Sequence, residues 1–130
     1  MSDKSYALDA SALLAVMLGE PGAEAVNAIL DRASIGAVNL SEVVAKLQER
    51  GVPDEVIDQS LADLDLPVVP FDREQAMLAG KLRLATRSAG LSLGDRACLA
   101  TAKSLGGVAI TMDKAWAKLS IGVEINVARP

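Results

Sequence analysis

The sequence predicts a three-layer α/β domain, in which helices cover both faces of a mostly parallel central sheet of about five strands. Short apolar runs rich in β-branched residues alternate with longer segments of helical periodicity, and this alternation is typical of crossover connections and parallel pairing. A chain of 130 residues that is 51% hydrophobic is also large enough to bury one core. We therefore expect a single domain over residues 1–130.

Five runs have the length and composition of strands that are buried on both faces of a sheet. They cover residues 6–8, 35–38, 68–71, 108–112 and 123–127.

End signals mark three helices in the first half of the chain. Ser11 can cap a helix that runs to about residue 18, and Pro21 can open a second that ends near residue 30. Ser41 can cap a third helix over residues 42–50, which Gly51 ends as a C′ glycine.

Four more helices are predicted in the second half. Pro53 can begin one, with a buried stripe formed by Val52, Val56, Ile57, Leu61 and Leu64. Asp72, with Gln75 three residues later, resembles a capping box for a helix that runs to about residue 88. Ser92 can cap a helix over residues 93–105, and a short helix follows at about residues 114–119.

Composition excludes several kinds of chemistry. The chain has no histidine, which rules out triads, zinc sites and acid–base mechanisms that need an imidazole. A single cysteine, Cys98, forms neither an internal disulfide nor a thiolate zinc site, which suits a reducing compartment. The longest apolar run, residues 12–18, is too short to cross a membrane. We therefore expect a cytoplasmic protein without a membrane segment.

Four acidic residues are the candidate functional groups. Asp9 directly follows the first predicted strand and Asp113 the fourth, while Glu42 falls in the first turn of the helix after the second. The carboxyl ends of parallel strands and the starts of the helices that follow them share one edge, where α/β proteins bind ligands. Asp95 lies in the first turn of a helix that follows another helix, so topology alone does not place it.

A group of such acids indicates a metal site. Taken singly, each has a structural explanation, since first helical turns favour acids and aspartate is common in turns. Together, carboxylates that converge without a base repel one another and raise their own pKa values unless a cation lies among them. Without histidine or thiolate ligands, oxygen-only ligation points to Mg²⁺ or Mn²⁺ rather than zinc.

Four segments, in order along the chain, resemble the motifs of the PIN-domain ribonucleases and, within them, of the VapC-type toxins of bacterial toxin–antitoxin pairs. They are residues 8–15 (LDASALLA), 39–43 (NLSEV), 93–100 (LGDRACLA) and 110–116 (ITMDKAW), each with the acid in its expected position. The resemblance covers nearly the whole chain and implies a PIN-like α/β/α fold.

The resemblance also implies the roles of individual residues. Asp9, Glu42, Asp95 and Asp113 would form the catalytic pocket that holds one or two Mg²⁺ or Mn²⁺ ions, with Asp9 and Asp95 as the first candidates for direct ligands. Ser11 and Thr111 match hydroxyl residues that support such a pocket, although a helix cap and an ordinary strand residue explain them equally well.

The implied activity is endonucleolytic hydrolysis of RNA that leaves a 5′-phosphate and a 3′-hydroxyl. The implied partners are RNA as the substrate, a cognate antitoxin whose tail covers the active-site groove, and a second copy of the chain in a homodimer.

Two other interpretations stay open. A non-catalytic PIN-fold module would only bind or scaffold, and the intact acidic positions argue against it. A phosphoacceptor receiver-like domain would use Asp72 as the acceptor with Thr111 nearby. Against the receiver-like interpretation, the first strand ends in one acid rather than two, and no lysine follows the last strand.

The net charge of −4 hides an uneven distribution. Residues 75–118 carry seven basic and two acidic side chains, a surplus of five, and the two acids are Asp95 and Asp113. This stretch is either a solvated helix face or a surface that positions RNA phosphates beside the acidic pocket. The candidate RNA-binding residues are Lys81, Arg83, Arg87, Arg96 and Lys114.

Overall fold

The central sheet has five strands, all of them parallel. The computed structural model describes residues 4–129, and within them the strands pair in the order β3-β2-β1-β4-β5. They are β1 (Tyr6–Leu8), β2 (Ala33–Gly36), β3 (Val68–Val69), β4 (Val108–Thr111) and β5 (Glu124–Val127). The prediction of a parallel sheet of about five strands is confirmed.

Seven α-helices accompany the sheet within residues 4–129. They are α1 (Ala10–Leu18), α2 (Ala23–Asn27), α3 (Ala37–Glu49), α4 (Asp54–Leu64), α5 (Arg73–Lys81), α6 (Arg83–Thr86) and α7 (Leu93–Leu105). Short 3₁₀ helices cover Leu30–Arg32, Arg87–Ala89 and Lys114–Lys118. None of the helices in this part of the chain is long and apolar enough to cross a membrane.

Two hydrophobic cores lie on opposite faces of the sheet, because successive strand residues point to opposite sides. Leu8 and Ile110 belong to the core that packs against α1 and α3. Ala7 and Ala109, their neighbours in the two central strands, belong to the other core with residues of α7 and the fully buried Trp116. The three-layer α/β/α architecture is confirmed.

Three of the predicted helix starts are wrong. Pro21 lies in a turn before α2, which begins at Ala23 with Gly22 as its N-cap residue. Helix α1 is capped by Asp9 rather than Ser11, since the Asp9 side chain accepts a hydrogen bond from the backbone N–H of Ala12. Helix α3 begins directly after β2 with Gly36 as its N-cap residue, so Ser41 caps nothing and Glu42 lies in the second turn. The missing side chain of Gly36 lets α7 pack closely against this junction, because a Cβ there would lie 2.7 Å from the hydroxyl oxygen of Thr101.

The long helix predicted to end near residue 88 is divided into α5, α6 and a 3₁₀ turn. Asp72 is its N-cap as predicted, with its carboxylate accepting from the N–H of Gln75 at 2.9 Å, but the Gln75 side chain does not return a hydrogen bond, so the capping box does not form. The break falls at Leu82, which is buried in the second core and follows the flexible Gly80 by two residues. The helix is therefore interrupted at the residue whose side chain packs into the second core.

Candidate active site

Asp9 is a buried carboxylate whose two oxygens are both held by hydrogen bonds. It follows β1, is 5% exposed, and caps α1. Its Oδ1 accepts from the hydroxyl of Ser11 at 2.7 Å and from the N–H of Ala12 at 2.8 Å. Its Oδ2 accepts from the hydroxyl of Thr111 at 2.5 Å. This carboxylate is consequently fixed in position from three directions.

Ser11 and Thr111 join the ends of the two central strands at this carboxylate. The Ser11 hydroxyl accepts from the N–H of Met112 at 3.0 Å, and the Thr111 hydroxyl accepts from the N–H of Asp113 at 3.0 Å. Each hydroxyl thus accepts from the backbone after β4 and donates to Asp9. The contacts agree with the supporting role expected for both residues.

Glu42 is a half-buried carboxylate held by Asn39, one helical turn earlier on α3. The Asn39 amide nitrogen donates to Glu42 Oε1 at 3.0 Å and to the carbonyl oxygen of Gly94 on α7 at 2.9 Å. Asn39 is only 1% exposed. Gly94 has no side chain, and a Cβ there would lie inside contact distance of the Glu42 carboxylate. Asn39 and Gly94 together set where this carboxylate lies.

The other two acids are anchored by the turns that carry them. Asp95 completes a capping box at the start of α7, in which its Oδ2 accepts from the N–H of Ser92 at 2.9 Å and its own N–H donates to the Ser92 hydroxyl at 3.2 Å. Asp113 is exposed and accepts from the N–H of Ala115 at 2.9 Å.

All four acids line one cavity of about 240 Å³, together with Ala10, Ser11, Leu14 and Lys46. The pKa of Asp9 is raised to about 6, mainly by burial and to a smaller extent by the nearby charge of Asp95, against the opposing effect of its hydrogen bonds. Burial also raises the pKa of Glu42, with a smaller contribution from Asp95. The structure therefore brings together the four acids that the sequence singled out.

The donor set suits a hard divalent cation. It consists of carboxylate and hydroxyl oxygens, which Mg²⁺ and Mn²⁺ prefer, and no lysine or arginine within residues 4–129 forms an ion pair with any of the four carboxylates. In the same part of the chain, no three acidic side chains lie close enough together to coordinate one ion as they stand. Binding would therefore involve waters or small side-chain movements, and Mg²⁺ ordinarily keeps several waters.

A family model for the PIN domain matches residues 6–122. The chain belongs to the PIN-domain family. Ribonuclease VapC42 of Mycobacterium tuberculosis is 31% identical over 109 residues, which cover 76% of this chain and 83% of that relative. The resemblance drawn from the four motifs is thereby confirmed, and the receiver-like interpretation is wrong.

Solved structures support the PIN fold. The DNA-bound VapBC complex from Salmonella typhimurium aligns with a TM-score of 0.73 at 19% identity, covering 95% of this chain and 97% of that one. VapC20 of Mycobacterium tuberculosis, described as a sarcin–ricin loop cleaving toxin, aligns with a TM-score of 0.70 at 15% identity, covering 92% and 99%.

The basic residues predicted to bind RNA do not line the acidic cavity of this PIN domain. Four of them, Lys81, Arg83, Arg87 and Lys114, are exposed. Arg96 instead joins two helices, since its guanidinium donates to the carbonyl oxygen of Ala79 on α5 at 3.0 Å.

Sequence reasoning missed three residues of the site. Lys46 lines the cavity, and Asn39 and Gly94 position Glu42. The signal for Asn39 and Lys46 was their spacing of three and four residues from Glu42, which places all three on one helix face. Gly94 carried no such signal, because its role depends on contact with a distant helix.

Proposed function

We propose that this PIN-domain protein is a metal-dependent endoribonuclease and the toxin of a toxin–antitoxin pair. The observation that carries the proposal is the shared cavity of Asp9, Glu42, Asp95 and Asp113, in which the buried Asp9 has no cationic partner among residues 4–129. The name of VapC42 as a ribonuclease, at 31% identity, supports the same activity.

The four carboxylates would hold Mg²⁺ or Mn²⁺, with Asp9 and Asp95 as the first candidates for direct ligands. When bound, such an ion lowers the pKa of water to supply a nucleophile and offsets the negative charge that develops on the phosphate oxygens. The protein's own contribution is to keep the carboxylates in place. Ser11 and Thr111 hold Asp9, and Asn39 holds Glu42.

The substrate would be RNA, and the partners would be an antitoxin encoded beside the gene and a second copy of the chain in a homodimer. The solved VapBC complexes of similar fold support an antitoxin partner. The proposed location is the cytoplasm, where both RNA and antitoxin are available. Co-expression with the neighbouring reading frame should rescue growth arrest and preserve RNA integrity.

The decisive experiment is RNA cleavage by the purified protein. With Mg²⁺ or Mn²⁺ the wild type should cleave RNA, and EDTA should abolish the cleavage. The Asp9→Asn variant, purified in the same way, should be inactive. Equal residual activity in wild type and variant would identify a contaminating nuclease and contradict the proposal.

A non-catalytic binding module is the second candidate. The separation of the acids favours it, because no three of them within residues 4–129 lie close enough to coordinate an ion without adjustment. The same assay, run on RNA and on DNA with and without metal, separates the candidates. A binding module would retain nucleic acid without cutting it under any of these conditions.

The cations of the 75–118 stretch are proposed as a further RNA-binding surface, whose candidate members are the exposed Lys81, Arg83, Arg87 and Lys114 and the half-buried Arg96. Replacing both Arg83 and Arg87 by alanine should weaken RNA binding, and the affinity should fall as salt rises. An unchanged affinity would assign these residues to a solvated helix face.

A further inference from the structure

A second cavity opens beside the acidic one. It measures about 390 Å³, and three residues, Ser11, Leu14 and Lys46, line both cavities. These two adjoining cavities, which we call the groove, extend from the carboxylates across α1 and α3.

Cations line the far end of this groove. Glu42, Lys46 and Arg50 are spaced four residues apart along α3 and its C-terminal end, so they follow one helix face from the acidic end of the groove to the other. Arg129 reaches the same cavity from the segment after β5. A backbone hydrogen bond of 2.9 Å from Ala128 to Thr111 holds that segment against β4.

The far end of the groove carries a net positive charge. Its one acidic lining residue, Glu20, lies 3.8 Å from the Arg50 guanidinium. Both side chains of this ion pair are partly exposed to water, so the pair is weak. Lys46 and Arg129 are not offset by any ion pair within residues 4–129. Three cations thus face one anion in a groove that leads directly to the four carboxylates.

We propose that Lys46, Arg50 and Arg129 bind an RNA phosphate next to the one that is cleaved. The inference rests on the proposed ribonuclease function and adds to it the side of the site along which the RNA backbone lies. The four carboxylates repel an approaching RNA backbone. Cations one helical turn away attract that backbone and can fix which of its phosphates lies at the acidic cavity. This surface is separate from the cations of the 75–118 stretch.

The test measures RNA binding by fluorescence anisotropy. The probe is a fluorescein-labelled, uridine-only single-stranded RNA in EDTA, and every protein carries Asp9→Asn so that the probe stays intact. The triple variant Lys46→Gln, Arg50→Gln and Arg129→Gln should bind more weakly. The slope of log affinity against log salt should become shallower by roughly 0.7, the value for one lost phosphate contact on a single strand.

A control variant removes the same charge elsewhere. Lys4→Gln, Arg32→Gln and Arg73→Gln also remove three exposed cations, none of which lines either cavity or belongs to the 75–118 stretch. Its affinity and salt slope should change much less than those of the triple variant. All six side chains are exposed, and thermal unfolding of each protein checks that it is folded.

The outcomes separate this inference from the proposed function. If the wild type cleaves RNA and the two variants bind RNA with equal affinity, the proposed phosphate subsite is wrong and the proposed ribonuclease activity is supported. If the wild type does not cleave RNA but only the groove variant loses affinity and salt slope, the subsite stands as an RNA-binding surface and the nuclease is wrong. In an active enzyme, the groove variant should raise KM more than it lowers kcat, because the cations bind substrate away from the reacting bond.

Discussion

The two halves of the acidic cavity are built differently. The Asp9 corner, formed by Asp9, Ser11 and Thr111, lies at the ends of the two central strands, where hydrogen bonds hold both carboxylate oxygens. The Glu42 corner, formed by Asn39, Glu42, Gly94 and Asp95, lies where α3 meets α7, and a single asparagine holds its half-buried carboxylate. One acid is fixed by the sheet, and the other by the packing of two helices.

The difference shows how a site combines rigidity with adjustment. Asp9 is held in a buried position, and the loss of solvent raises its pKa. A bound cation would stabilise the charged form of this carboxylate. Glu42 has fewer constraints and more solvent, so its carboxylate can move toward an ion or a phosphate. Because the four acids do not form a complete coordination shell as they stand, we expect the adjustment to come from the Glu42 corner.

The largest expected effect comes from neutralising the Asp9 corner. Under the proposed function, Asp9→Asn should reduce RNA cleavage by about a hundredfold or more, since a catalytic metal supplies several kcal/mol of transition-state stabilisation. It should also abolish the rise in melting temperature that Mn²⁺ produces in the wild type. Glu42→Gln should weaken both effects less. If Glu42→Gln proves the more damaging change, the contrast between the corners is wrong.

The pH dependence of stability should show the desolvation of Asp9 directly. Its pKa is about 6 in the folded protein, against 3.8 for an ordinary aspartate. The folded state therefore holds the proton more tightly, so the stabilisation is full below about pH 4 and is lost as the pH rises to about 6. The loss is on the order of 3 kcal/mol for a shift of this size.

Urea unfolding in EDTA across this pH range measures the effect. Asp9→Asn should remove most of the decline, because asparagine does not ionise, and should leave the metal-free protein more stable than the wild type at neutral pH. Mn²⁺ should reduce the decline in the wild type, since its charge favours the carboxylate. A decline of equal size in Asp9→Asn would assign it to other groups.

The Glu42 corner can be tested without changing any charge. Gly94→Ala places a methyl group against the Glu42 carboxylate and should displace it, lowering cleavage by roughly tenfold to a hundredfold, as changes that disturb a metal ligand do. Gly80→Ala is the matched control, because its Cβ meets nothing within 4 Å. Alanine favours a helix over glycine by about 1 kcal/mol, so Gly80→Ala should raise the melting temperature and leave cleavage unchanged. Equal cleavage by Gly94→Ala and Gly80→Ala would show that displacing the Glu42 carboxylate does not impair the reaction.

The sequence predicted the Asp9 corner better than the Glu42 corner, for a physical reason. Asp9 directly follows one short apolar strand and Thr111 ends another, and any parallel sheet aligns such strand ends at one edge, so their proximity follows from local pattern and topology. The Glu42 corner depends instead on the close approach of α3 and α7, where Gly36 meets Thr101 and Gly94 meets Glu42, which are contacts between distant parts of the chain. The Ser41 cap therefore placed Glu42 in the first turn of its helix, whereas it lies in the second turn of α3.

The cations show the same limit. Charge counting found the basic stretch at residues 75–118 because those residues are neighbours in sequence. It did not find the cluster of Lys46, Arg50 and Arg129, because the fold brings Arg129 to α3 from the far end of the chain. A surface formed by residues that are far apart in the sequence leaves no local signal in composition.

The smallest expected effect tests whether the capping box at Asp95 serves the site as well as its helix. Ser92→Ala removes the hydroxyl that accepts from the Asp95 N–H, which should cost about 1 kcal/mol of stability. Asp72→Ala removes the same kind of cap from α5, away from the cavity, and should cost a similar amount. The two variants should thus melt alike, as differential scanning calorimetry can measure. Only Ser92→Ala should also lower cleavage, by less than about tenfold, because it loosens the turn that carries Asp95. Equal cleavage by both variants would mean that the capping box stabilises the helix and leaves the site unaffected.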